Sequence, residues 1–278
     1  MVNRNLKIFK GQPLSANYAA GSLERHFEDI ELKGYTIVPT AFSNEQLEAI
    51  RSEIDIAFDN EVASFGAQNL EKIDDVGVVR NPFLKSKICR EICFDPTNLK
   101  ILDRFFGDQY ILHVNRYVIS DPSLVHPASS WHREPPYNNF IAQRPLALTF
   151  IYLPDGSSPD NSGVTLLPAS HKWPNFPSDE FVLDNEVSPQ IEPGSTLVID
   201  SSLFHRGGVG GAERRRSVVS IFTTPIIKQQ TNLAKYIKEN CIKICDEIPN
   251  GRFLLGLTTD PFVSDHEYRL NKLKICGD

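Results

Sequence analysis

Two short segments hold the side chains best suited to chemistry: Ser129-Ser130-Trp131-His132-Arg133-Glu134 and Phe204-His205-Arg206-Gly207-Gly208. On an extended strand, residues i and i+2 point to the same side, so His132 and Glu134 can meet one ion while Arg133 faces away. His205, from a distant segment, supplies a third ligand. Two imidazoles and one carboxylate make the facial triad that suits Fe(II) and leaves positions open for a co-substrate and O2. The cysteines offer a weaker alternative. Cys89/Cys93 and Cys241/Cys245 are spaced i,i+4, which on a helix puts both sulfurs on one face, as a zinc-like site would need. The isoleucines and phenylalanine beside them (Ile88, Ile92, Phe94, Ile242, Ile244) favour the plainer reading, cysteine as a small apolar packing residue.

These side chains need elements to hold them. Residues 22–33 read as a short helix ending at Gly34, and Tyr35 to Pro39 as a strand. Ser43 caps the clearest helix, whose Leu47, Ile50, Ile54, Ala57 and Phe58 recur at helical spacing. Another helix is expected near 96–106, before Gly107. From about 109 the pattern turns to short strands: 109–119, 145–153, 163–168, 196–200 and 216–222, with no helix-length segment between the later ones. That succession predicts an antiparallel sandwich or barrel rather than βαβ units. A helix near 230–247 and a loop-rich tail close the chain.

The bulk properties narrow the function. The 278 residues, 41% of them apolar, can build one large core, and no linker or repeat marks a boundary. A net charge of −6 argues against nucleic acid, since a diffuse basic surface is what displaces counterions. With no run of 18 apolar residues, no membrane span is expected. The N-terminus lacks the apolar core of a secretory signal, and five cysteines are too few and too odd in number for a disulfide framework, so a cytoplasmic protein is expected.

The ordered segments GYTIVPTAFSNEQLEAIRSEI, SSWHRE, DNSGVTLLPASHK, IEPGSTLVIDSSLFHRGG and RRRSVVSIF together resemble the phytanoyl-CoA dioxygenase family of Fe(II)/2-oxoglutarate-dependent oxygenases, over roughly Gly34 to Pro225. The resemblance implies a mainly β fold with flanking helices around a double-stranded β-helix, a cupin-like jelly roll. On that reading the single oxygenase domain has a helical region at 1–108, a jelly-roll core at about 109–225 and a helical extension at 226–278. It implies His132, Glu134 and His205 as iron ligands, and an Arg ten or eleven residues beyond the distal His as the anchor of the far carboxylate of 2-oxoglutarate. That position falls on Arg215 or Arg216, and the family spacing favours Arg216. A guanidinium fork grips a carboxylate with two parallel hydrogen bonds, which Lys cannot copy.

The resemblance also places a polar side chain on the 109–119 strand beside the iron-side end of 2-oxoglutarate. Asn115 matches best, on a face expected to hold His113, Asn115 and Tyr117. Thr149 is a further candidate for that pocket, and Ser217 for the support of the Arg216 end. His171 matches a structural His of the family's turn. Glu134 departs from the family's usual Asp, yet supplies the same hard oxygen and blocks the chloride position that related halogenases open.

The expected activity is hydroxylation of an unactivated C–H of a small organic metabolite, consuming 2-oxoglutarate and O2 and releasing succinate and CO2. Arg80, His113, Tyr137 and Arg206 are the candidate substrate contacts, with Trp131 packing beside the metal. The partner is a small-molecule substrate, and the chain is expected to be a monomer or homodimer. Two alternatives stand beside this reading: a cupin-like metalloenzyme that does not use 2-oxoglutarate, and a non-catalytic jelly-roll binding protein.

Overall fold

The computed structural model describes residues 18–39, 42–121, 129–134, 141–208, 211–259 and 261–276. Its first helices begin where the polar caps predict. Ser22 accepts a hydrogen bond from Arg25 N at the start of α1 (Leu23–Lys33), which ends on Gly34 in the left-handed conformation. β1 (Tyr35–Val38) follows, and Ser43 then forms a reciprocal capping box with Gln46 at the head of α2 (Asn44–Phe65). After α3 (Ala67–Lys72) come β2 (Val78–Arg80), α4 (Lys87–Cys93) and α5 (Pro96–Phe106), the last capped by Asp95 with Pro at its first position.

The strands that carry the site are β3 (Ile111–Ser120), β4 (Ala147–Leu153), β5 (Val164–Leu166), β6 (Ser195–Asp200), β7 (His205–Gly207) and β8 (Arg215–Thr223). Six strands make an antiparallel sheet in the order β1-β6-β4-β8-β3-β2, while β5 and β7 pair separately. Every residue of β4 is buried, because both faces of the large sheet are covered. On one side Leu148, Phe150 and Tyr152 pack with Ile50, Ile54 and Ile101 of the helices. On the other, Ile151 and Leu153 pack with Val164 and Leu166 of β5. The site lies on this second side.

Two expectations about connections need correction. A short helix, α6 (Asp179–Asn185), interrupts the run of later strands; Ser178 caps it and Asp179 and Glu180 fill its first turn. The tail beyond α7 (Leu233–Asn240) and α8 (Gly251–Leu254) is helical rather than loop-rich, ending in α9 (Asp265–Cys276). Cys89, Cys93 and Cys245 are packed into the helix-side core. Burial pushes the Cys93 thiol up to about 12, as befits a packing residue rather than a thiolate ligand. No helix among the described residues is long and apolar enough to cross a membrane.

Gly34 is where the helix layer meets the site's support. Its φ is +85°, and a Cβ there would lie 2.6 Å from His171 Nδ1 and 2.6 Å from Leu203 Cδ1, both in buried side chains. Strained backbone and a double clash together predict that Gly34→Ala destabilises the fold by about 2–4 kcal/mol. Chemical denaturation checks this, and an unchanged midpoint would show that the turn relaxes freely.

Candidate metal centre and its two cavities

Backbone pairing brings the triad together. His132 N donates to His205 O at 3.0 Å and His205 N to His132 O at 3.1 Å, so the two ligand-bearing residues face each other as a closed antiparallel pair. β7 therefore lies between β5 and the 132 segment, and Glu134 N is held by Ser201 O at 3.1 Å. Arg133 points the opposite way, as the alternation requires. Its guanidinium lies 3.7 Å above the Phe204 ring and donates to the carbonyls of Ser170 and Trp173. Among the described residues, His132, Glu134 and His205 form a group able to share an ion, with ligand atoms within 4.8 Å of one another.

The local chemistry suits a divalent transition metal. His132 Nδ1 lies 2.9 Å from Ser130 O, and His205 Nδ1 2.9 Å from Leu203 O. A carbonyl can only accept, so each Nδ1 donates and each Nε2 keeps a lone pair for a metal. Burial, with the neighbouring His132, lowers the His205 imidazole to about 4, so it is neutral at physiological pH. Burial pushes the Glu134 carboxyl up, but Arg116 and the surrounding imidazoles outweigh it and hold the group below its usual value. Two imidazole nitrogens and one carboxylate oxygen are a donor set that fits Fe(II).

Arg116 is the residue the sequence reading missed. Its Nη2 lies 3.2 and 3.4 Å from the two Glu134 oxygens. The cause of the miss is a β-bulge: β3 pairs Leu112 with Phe222 but Val114 with Ile221, leaving His113 unpaired and reversing the alternation. His113, Val114 and Arg116 therefore line cavities on the site side. Asn115 and Tyr117 belong to the helix side, which corrects the expectation that they share a face with His113. Asn115 accepts from Phe83 N at 3.2 Å and donates to Ser220 Oγ at 3.1 Å, away from the triad. Arg116→Gln is expected to weaken metal affinity about 10–100-fold, the usual range for loss of a partner that orients a ligand. Titration with Mn(II) measures it, and an unchanged dissociation constant would show that Glu134 holds its pose unaided.

A cavity of about 440 Å³ runs from the triad past Val118, Ser120 and Ser217 to Arg215. Arg215 is buried and donates from Nη2 to Ser120 Oγ at 3.1 Å, while its Nε and Nη1 have no partner among the described residues. Burial lowers this guanidinium to about 10. Arg216 points to the other side of the sheet. It is gripped by Asp55, at 2.7 Å from Nη2, and by Asp155, at 3.1 Å from Nη1, so Arg215, and not the favoured Arg216, is the arginine that lines the cavity with the triad.

The remaining candidates sort by position. Ser217 lines the cavity and donates to Val118 O at 3.3 Å. Thr149 lines neither cavity; its hydroxyl lies 2.8 Å from that of Ser201, whose carbonyl holds Glu134 N. Arg80 and Arg206 line the same cavity, paired with Asp75 at 2.6 Å and Glu186 at 3.2 Å, and Arg206 lies over the Trp131 ring. His171 is 3.2 Å from Glu31 O and braces α1, with no part in the triad. Tyr137 lies outside the described residues.

Comparison with known proteins agrees with this geometry. The family model described as phytanoyl-CoA dioxygenase (PhyH) matches residues 30–217. "Uncharacterized protein Rv1501" of Mycobacterium tuberculosis is 23% identical over 222 residues, covering 77% of this chain and 80% of its own. "Dioxygenase cdmD" of Talaromyces verruculosus is 22% identical over 255 residues, covering 80% and 82%. Among solved structures, EvdMO1 superposes with a TM-score of 0.54 at 18% identity, covering 73% of this chain. This chain spans 50% of that structure's length, and the likeness speaks for the fold alone.

Proposed function

Since the chain belongs to the phytanoyl-CoA dioxygenase family, we propose that it is an Fe(II)- and 2-oxoglutarate-dependent oxygenase that hydroxylates an unactivated C–H of a small organic metabolite. The observation that carries this reading is Arg215, ten residues after His205, which lines the cavity that also reaches the triad and whose buried Nε and Nη1 have no partner among the described residues. A buried guanidinium left short of partners is costly, and a dicarboxylate spanning from the metal to Arg215 removes that cost. A metalloenzyme of this shape without 2-oxoglutarate leaves Arg215 unexplained. A non-catalytic binding protein leaves the convergence of His132, Glu134 and His205 unexplained.

The large sheet and the β5–β7 pair, lengthened by His132, support reading the core at about 109–225 as a double-stranded β-helix within one oxygenase domain. His132, Glu134 and His205 would hold Fe(II), which when bound couples decarboxylation of 2-oxoglutarate to succinate and CO2 with O2-dependent hydroxylation of the substrate. Arg215 anchors the far carboxylate of the co-substrate, with Ser217 and Ser120 on the same wall. Arg116 fixes the Glu134 carboxylate, which compensates for the extra methylene that Glu carries relative to Asp. Val118, Ile151 and Val219 present apolar surface that limits water in the cavity.

Anaerobic titration with Fe(II) and then 2-oxoglutarate tests the reading. A weak visible charge-transfer band is expected, and its absence in folded, iron-loaded protein would sink it. Succinate release across a panel of small metabolites would then identify the substrate.

A further inference from the structure

Glu134 and Arg116 line two cavities rather than one. Beside the cavity that holds Arg215 is another of about 370 Å³, bounded by the start of β3, the end of β8 and the segment that follows it. Val114, Ala147, Ile221 and Ile227 give it aliphatic walls, and the exposed Lys228 stands at its rim. We propose that this second cavity is the primary-substrate subsite and takes an organic anion with an aliphatic body, its acidic group at Lys228 and its reacting C–H beside Glu134. The proposal rests on the oxygenase reading above.

Charge argues for the anion. The carboxylate lining this cavity is that of Glu134, already committed to Arg116 and to the triad. Lys228 makes no ion pair with the described residues, so its charge is the uncommitted one. In a chain of net charge −6, a cavity with a cationic rim and no free carboxylate is set apart from the average surface and selects for negative ligands. The walls argue for the aliphatic body, because an apolar lining with a few placed polar groups is what binds a small organic molecule.

His113 supplies the inner polar contact. The bulge in β3 turns it into the cavity wall, and its Nδ1 is buried with no partner among the described residues. Nδ1 is sealed from the cavity, so the ring's other nitrogen, Nε2, is the atom a substrate hydroxyl or carbonyl would meet. Position in the chain separates this subsite from the shared machinery. The triad and Arg215 fall inside the family match, whereas Ile227 and Lys228 lie beyond residue 217, where it ends.

The test begins with the anaerobic Fe(II) and 2-oxoglutarate titration on wild type, which judges the oxygenase reading by itself. Butyrate, hexanoate and octanoate, with the matching alcohols, are then titrated calorimetrically into Mn(II)/2-oxoglutarate-loaded and metal-free protein. Wild type is expected to bind the longer carboxylates about tenfold or more tighter than the alcohols, a difference of about 1.4 kcal/mol. Lys228→Ala is expected to erase that preference and Ile227→Trp to remove binding of both series, each leaving the 2-oxoglutarate dissociation constant unchanged. Equal binding of acids and alcohols, binding of neither, or a preference that survives Lys228→Ala would overturn the proposal. A negative iron titration with a Lys228-dependent preference intact would instead overturn the oxygenase reading, and the substrate role with it.

Discussion

Replacing Arg215 by Ala is expected to raise the 2-oxoglutarate dissociation constant roughly 100-fold with little change in melting temperature, and replacing Arg216 by Ala to do the reverse. The first magnitude follows from losing a forked, charge-assisted pair worth about 3 kcal/mol in a water-poor cavity. The fold loses little, because among the described residues the Arg215 guanidinium donates only to the Ser120 hydroxyl, with Asp155 as a more distant counter-charge. Arg216 is different. It joins Asp55 of α2 to Asp155, which also takes Arg51 at 2.8 Å, in a half-buried network that pins a helix to the sheet. Removing it takes away the cation that the two carboxylates share, leaving Asp55 with Arg214 and Asp155 with Arg51, for roughly 2 kcal/mol, or about 4–8 °C in a domain of this size. Charge-transfer titration and thermal melting read the two quantities separately. A 2-oxoglutarate defect that follows Arg216 and spares Arg215 would refute the assignment.

His205→Ala is expected to lower Fe(II) affinity by at least about 100-fold and to abolish turnover. It takes away one of three ligands, a larger loss than the outer-partner changes that already cost about 10–100-fold. His171→Asn is the matched control. His171 is also buried, and burial lowers it to about 4 as it does His205, yet it braces α1 through Glu31 O and lies outside the triad. That variant is expected to melt earlier and still bind metal. Equilibrium dialysis with elemental analysis separates the two, and full metal occupancy in His205→Ala would remove this residue from the centre.

The contrast between the triad and its neighbours shows which parts of the site the sequence reveals. His132 and Glu134 were legible because the two-residue repeat of a strand is local, and His205 because it heads a recognisable segment. Arg215 and Arg216 differ by one position in a run of three arginines, and the choice between them is made by pairing: Arg215 stands opposite Ser120 and Arg216 opposite Ile119. No residue near them announces that register. Asn115 and Arg116 exchanged faces for the same kind of reason, since a single unpaired residue at His113 reverses everything after it in the strand. The short helix α6, by contrast, carried its signals openly, with a Ser cap followed by two acids. The run of strands around it concealed them.

The mutual hydrogen bonds between His132 and His205 have a consequence for how the protein acquires a reactive centre. Joining them closes a long loop whose entropy is recovered only when the strands between them are in register. A nascent or partly unfolded chain thus has the local His132–Glu134 pair without its third ligand, His205. On the oxygenase reading, iron retention would certify completed folding, and oxidising power would exist only in molecules already able to enclose it.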